Sequence, residues 1–249
     1  MPKAGSRTVI VTGASRGVGL GVAERLAAGG YRVVGLARKL SPAMDKAIKA
    51  AKKAGAGEIV FVAADLSKID AIPELARGLK ADYGPIWGLV NNAGLGTEGL
   101  LSNMHNSQIE QLVTLNTLSP IVLTKYVVRS MMTEGQGRIV NMSSIIASTG
   151  YNGLSVYAAT KASLIGFTKS LAREVGKLGV TVNAVAPGFM NTEMTEALSE
   201  KDRARIESRS ALKRLAAVED VARMVEFLMG DGGRNITGAV MTVDAGNTA

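Results

Sequence analysis

Short apolar runs alternate along this chain with longer stretches in which apolar residues return every three or four positions. Thr8–Thr12, read Thr-Val-Ile-Val-Thr, is the first run, and Gly17–Ala28 is the helical stretch behind it. Further strands are predicted at residues 32–36, 59–62, 87–90, 138–142, 180–185 and 239–243. Helices are predicted at Pro42–Ala54 and at residues 73–83, 107–132 and 155–178. Pro73 suits a helix start, because the first helical position has no use for an N–H donor.

The strand-like runs are apolar at successive positions, not at alternate ones, so both faces of their sheet need cover. Intervening helices give that cover through right-handed crossovers. The expected fold class is α/β: a Rossmann-type doubly wound parallel sheet of about seven strands, with helices on both faces. No linker, low-complexity tract or repeat interrupts the 249 residues, so a single domain over 1–249 is expected.

Composition removes several kinds of chemistry. There is no cysteine, which excludes disulfides, thiolate metal sites and a cysteine nucleophile. His105, the only histidine, belongs to no triad or metal set, so no metal is expected and a structural or surface place is. The start, Met1 to Arg7, is too short and polar for a signal peptide, and no run approaches the roughly 20 apolar residues that span a bilayer. A cytoplasmic protein without membrane contact is expected. The net charge of +8 favours anionic partners: nucleic acid, phosphorylated cofactors or acidic carrier proteins. The few aromatic residues do not interleave with the basic ones, so nucleic acid is not expected.

After the first strand comes Thr12-Gly13-Ala14-Ser15-Arg16-Gly17-Val18-Gly19. Glycines where a strand turns into a helix permit a tight turn and the close approach of a pyrophosphate to free N–H groups. A cofactor without a 2′-phosphate is usually held by an acid about 20 residues on. Here the second strand runs into Ala37-Arg38-Lys39 instead. A guanidinium grips a phosphate through paired hydrogen bonds, and Arg16 can close on it from the glycine loop. The pair points to NADP(H). Tyr157 and Lys161, four apart at the start of a predicted helix, lie on one face. An ammonium beside a phenol lowers the phenol's pKa and makes an acid/base for neutral pH. Ser144, just past the fifth strand, can polarise a substrate carbonyl at the same sheet edge.

Together these motifs resemble the short-chain dehydrogenase/reductase family along the whole chain. Asn91-Asn92-Ala93-Gly94, Asn116, Pro187-Gly188-Phe189-Met190-Asn191-Thr192 and Ile236-Thr237-Gly238 with Val243-Asp244-Ala245-Gly246 extend the match, although Ala245 stands where glycine is usual. The resemblance implies hydride transfer from nicotinamide to a carbonyl carbon, with Tyr157 giving its proton to the oxygen. It implies that Lys161 holds the nicotinamide ribose, that Ser144 holds the carbonyl, and that Asn116 holds a water leading to solvent. Gly13, Ser15, Arg16, Gly17, Val18, Gly19 and Arg38 would take the phosphates. Asp65 and Leu66 would meet the adenine, and Asn92, Ala93 and Gly94 the ribose. Pro187, Gly188, Met190 and Thr192 would fix the nicotinamide. Taken singly, Asn116 could be a packed helix polar group and Asp65 a cap.

Residues 161–198 are most similar to the bacterial 3-oxoacyl-[acyl-carrier-protein] reductases, through Gly166-Phe167-Thr168-Lys169-Ser170-Leu171-Ala172-Arg173-Glu174 and Thr192-Glu193-Met194-Thr195. That likeness implies an acyl thioester substrate, on acyl carrier protein in fatty acid synthesis, and a lid at about 189–214. Within it, residues 201–214 hold Lys201, Arg203, Arg205, Arg209, Lys213 and Arg214 against Asp202 and Glu207, a positive excess. The turn Thr133-Glu134-Gly135-Gln136-Gly137 carries an acid where related reductases often carry bases. An acetoacetyl-CoA reductase, a sugar or polyol dehydrogenase and a general carbonyl reductase stay open. So does an NADP-binding sensor or scaffold without chemistry, although such a protein has no need of Tyr157 and Lys161 together. The two long helices carry apolar residues beyond one sheet face, and in relatives they pair across subunits; a homotetramer is expected, with a dimer second.

Overall fold

The computed structural model describes residues 7–190 and 200–249. Seven parallel strands form one sheet: β1 (Thr8–Thr12), β2 (Arg32–Ala37), β3 (Glu58–Ala63), β4 (Ile86–Asn91), β5 (Gly137–Met142), β6 (Val180–Pro187) and β7 (Val240–Val243). Their spatial order is β3-β2-β1-β4-β5-β6-β7. The chain winds outward from β1 to β3, then crosses to β4 and winds the other way. The reversal leaves a crevice outside the carboxyl ends of β1 and β4, where open α/β sheets bind ligands.

Successive strand residues feed opposite layers. Val9 and Val11 belong to one apolar cluster and Ile10 to the other; Val140 and Met142 face Ile139 across the sheet in the same way. This explains the unbroken apolar runs. On one side lie α1 (Gly17–Ala28), α2 (Pro42–Ala54) and α9 (Val218–Met229). On the other lie α3 (Ile72–Tyr83), α5 (Ser119–Glu134) and α7 (Ser155–Val175). Leu89 and Leu123 are wholly buried in that second layer, and truncating such a leucine to alanine costs about 2–5 kcal/mol.

Local signals set the helix ends. Ser41 Oγ accepts from Met44 N at 3.0 Å, Pro42 occupies the first turn of α2, and Gly55 closes it at φ +71°. Three helices lie outside the sequence reading: α6 (Ile146–Thr149), α8 (Glu200–Arg209) and α9. The last packs on α1, where a Cβ on Gly21 would meet Val218 Cγ1 at 2.5 Å. The helix expected at 107–132 is in fact α4 (Asn106–Val113), a π-turn (Thr114–Leu118) and α5. Among the described residues no helix is long and apolar enough to cross a membrane.

Candidate active site

The loop after β1 is shaped by its glycines. Gly13 (φ +66°) and Gly17 (φ +55°) are left-handed, and Gly13 N donates to Leu36 O at 2.8 Å, tying the loop to β2. A Cβ on Gly19 would fall 2.3 Å from Gly13 O and 2.5 Å from Asn92 Nδ2. Thr12 joins this loop to β4: its hydroxyl oxygen accepts from Asn92 N at 2.9 Å and Ala93 N at 2.8 Å. Arg16 stands at the N-cap position of α1, and no acid occupies the first turn. The N–H groups there suit an anion. Arg16 and Arg38 are both exposed, at the loop and at the end of β2. Asp65 accepts from Ser67 N at 3.1 Å and Ser67 Oγ at 2.7 Å. Those bonds hold its carboxyl below the usual range, and the charges of Lys68 and Arg38 add to them. Asp65 therefore closes a turn; Leu66 beside it is buried. A glycine cradle, an acid-free helix start and a cation at the end of β2 fit a dinucleotide carrying a 2′-phosphate.

The second half of the site gathers at the carboxyl end of β5. Ser143 N donates to Val185 O at 2.7 Å and its Oγ to Lys161 O at 2.8 Å, clamping α7 to the strand ends. Ser144 Oγ accepts from Ile146 N at 3.3 Å, and its hydroxyl lies near enough to that of Tyr157 to influence its titration. Lys161, one helical turn past Tyr157, lies 5.7 Å from the centre of the phenol ring and donates to Met142 O at 2.8 Å. Burial pushes Lys161 down to about 8. Burial also raises Tyr157 above the ordinary phenol value, and Ser144 works against that rise. The direction runs against the expectation that the ammonium lowers the phenol, because desolvation is the largest influence on it. At neutral pH the phenol keeps its proton, which is the form that a proton donor needs.

Asn116 sits in the π-turn. Its Oδ1 accepts from Leu95 N at 2.8 Å, and its Nδ2 donates to Leu95 O at 2.8 Å and Thr160 Oγ1 at 3.1 Å. The amide of Asn116 is thus anchored to protein through both of its ends. Widened helical turns of this kind recur at functional sites. A Cβ on Gly94 would lie 3.1 Å from Asn116 Oδ1 and 3.4 Å from Lys161 Nζ, so the missing side chain lets the two close together.

Residues 7–203 match the family model for short chain dehydrogenases. The chain belongs to the short-chain dehydrogenase/reductase family. It is 40% identical over 240 residues to the 3-oxoacyl-[acyl-carrier-protein] reductase of Escherichia coli K12, covering 96% of each chain. A short chain dehydrogenase from Burkholderia cenocepacia, solved in complex with NADP, is 32% identical with a TM-score of 0.91, covering 99% of this chain and 100% of that one. A candidate NAD(P)-dependent gluconate 5-dehydrogenase of Beutenbergia cavernae is 31% identical with a TM-score of 0.92, over 97% and 96% of the two chains.

This dehydrogenase is an oxidoreductase, and its remaining predicted residues are placed as follows. Pro187 ends β6, and Gly188 N donates to Val243 O at 2.9 Å. A Cβ on Gly188 would lie 2.6 Å from Asp244 Cβ. Met190 is buried and bridges to Ala216. Thr192 lies outside the described residues, as does most of the first half of the expected lid; α8 and the turn after it form the rest. Ser15 accepts from Ser41 Oγ through its main-chain oxygen, at 2.5 Å. Val18 packs on the apolar layer under α1. His105 is exposed just before α4, and its N–H donates to Gln108 Oε1 at 3.0 Å. The sequence reading missed Thr12, Ser143, Leu95 and Thr160. Thr12 adjoins the glycine motif and Ser143 adjoins Ser144, so position alone could have raised them. The carbonyl of Met142 has no side-chain signal at all.

Proposed function

We propose that this dehydrogenase is an NADPH-dependent reductase of 3-oxoacyl thioesters, serving as a 3-oxoacyl-[acyl-carrier-protein] reductase. The observation that carries the reading is the wall beside the proton donor. Ile145, Ile146 and Leu154 form a buried apolar cluster, and Tyr157 and Phe189 pack against it. An acyl chain gains from such a wall, while a polyol would lose hydrogen bonds to water there. The 40% identity to a reductase of that specificity and the basic stretch 201–214 agree with it. When bound, NADPH supplies the hydride that reduces the carbonyl carbon. Gly13, Gly17 and Gly19 would hold its pyrophosphate, and Arg38 with Arg16 its 2′-phosphate.

The chain's own residues then handle the oxygen. Ser144 Oγ donates to the carbonyl oxygen and orients it toward Tyr157. The phenol, kept protonated by burial, gives its proton to that oxygen as the alcohol forms. Lys161 and Asn116 keep Gly94 and the end of β5 in place around the reacting groups. The exposed Val113 and Leu118, on the long helical stretch expected to pair across subunits, support a homotetramer.

Glu134 in the turn before β5 favours a second reading, an acyl-CoA reductase with the same chemistry, because an acid there opposes an acidic carrier. NADPH oxidation measured across acyl-carrier, acyl-CoA, sugar and simple ketone substrates tests both. Acetoacetyl thioesters should exceed simple ketones and sugars in kcat/KM by about tenfold or more. Thioester turnover no faster than that of simple ketones would sink the assignment.

A further inference from the structure

Between α3 and the second half of α5 the surface opens into a cleft of about 360 Å³. It lies at the amino edge of the sheet, where β4 begins with Ile86, on the far side from Tyr157. Ala76, Ile86 and Val127 make its floor apolar, and three cations rim it: Arg77 and Lys80 from α3, Arg129 from α5. Tyr126 forms a wall, with the guanidinium of Arg129 5.5 Å and the ammonium of Lys125 5.3 Å from its ring centre. Arg77 pairs with Glu74, one turn back on α3. Among the described residues, Lys80, Lys125 and Arg129 have no carboxylate within salt-bridge distance. The cleft is therefore cationic beyond what its own acid offsets.

A second feature of the lining is a buried polar group. Ser130 lines the cleft, is only 5% exposed, and holds its hydroxyl fully sheltered without a hydrogen-bond partner. Helical serines ordinarily avoid that cost by bonding a carbonyl one turn back, and buried hydroxyls are nearly always satisfied.

We infer that this cleft binds an organic anion with an apolar tail, its carboxylate or phosphate held by Lys80 and Arg129 and its tail laid on Ala76, Ile86 and Val127. Guanidinium and ammonium groups on either side of one acidic head give charge-assisted bonds from two helices. The volume falls in the range of small-molecule sites, about 300–1,000 Å³. The stems of Lys80 and Arg129 add apolar surface to the tail's path. The inference does not depend on the substrate assigned above.

Titration calorimetry on the full chain, with octanoate and octyl phosphate as probes and octanol and inorganic phosphate as controls, tests it. At least one of the amphiphilic anions should bind saturably, one per chain, and the controls about tenfold more weakly or not at all. A preference between the two heads identifies the acidic group. Lys80→Gln and Arg129→Gln should each weaken binding about tenfold, while NADPH-dependent turnover stays unchanged. Saturable binding that survives the double variant, or octanol binding as well as octanoate, would overturn the inference. So would the absence of saturable binding by both anions.

Discussion

Lys161 Nζ is held by the main-chain oxygen of Met142 at 2.8 Å, so the ammonium of the reaction centre is fixed to the end of a central strand. Its burial lowers the pKa from 10.5 to about 8. Between those values the unfolded chain binds a proton that the folded one has released, so stability rises with pH across that window. The folded state should gain about 2 kcal/mol between pH 8 and pH 9.5. Lys161→Met should lose that gain and about 10²–10⁴-fold in turnover. Urea unfolding at the two pH values checks the first outcome; an equal slope in the variant would count against it.

Tyr157→Phe removes the proton donor but keeps the ring against Ile145, Ile146 and Leu154. Turnover should fall about 10²–10⁴-fold with cofactor binding retained. Burial raises the phenol's pKa, so ketone reduction should stay level through neutral pH and decline only on the alkaline side. Alcohol oxidation, which needs the phenolate, should climb over the same range. Ser144 lowers the phenol's pKa, so Ser144→Ala should move both limbs to higher pH. Full pH–rate profiles in the two directions decide the matter.

Arg38→Asp places a carboxylate at the end of β2 and beside the field of Asp65. It should weaken NADPH binding by about tenfold to a hundredfold and improve the use of NADH. Steady-state KM values for the two cofactors measure this, and an unchanged KM for NADPH would refute the role given to Arg38.

Ala245 adopts φ +57°, a left-handed conformation that its Cβ disfavours. Ala245→Gly should relieve about 1 kcal/mol of strain, partly offset by glycine's greater freedom in the unfolded chain. A net gain of about 0.5 kcal/mol in urea is expected. Stability lower than that of the parent chain would show that the alanine methyl makes a compensating contact.

The sheet was legible because β1, β2, β4, β5 and β6 are buried on both faces and so read as unbroken apolar runs. Gly17–Ala28 and Pro42–Ala54 match the predicted helices end to end, since glycine and proline mark their limits. Helix α9 was missed although five of its residues are buried, because no glycine or proline opens it; Asp220, bonded to Ala217 N at 3.0 Å, is its start signal. The π-turn was invisible for a different reason. Its cause is the bonding of Asn116 to Leu95 and Thr160, which no periodicity reports. The same limit hid the state of the reaction centre. Spacing places Lys161 over Tyr157, but what each titrates toward depends on burial and on a backbone carbonyl.

The contact between α1 and α9 also bears on how the chain is made. Tyr31, just after α1, donates its hydroxyl to Met229 O, 198 positions along the sequence. While a ribosome is still translating residue 190, the apolar side of α1 has no α9 to rest on. The helix that follows the glycine loop therefore gains its last packing partner only after nearly all the chain has emerged. Such long-range closure is slow and leaves the nascent N-terminal half open to chaperones until the final stretch arrives.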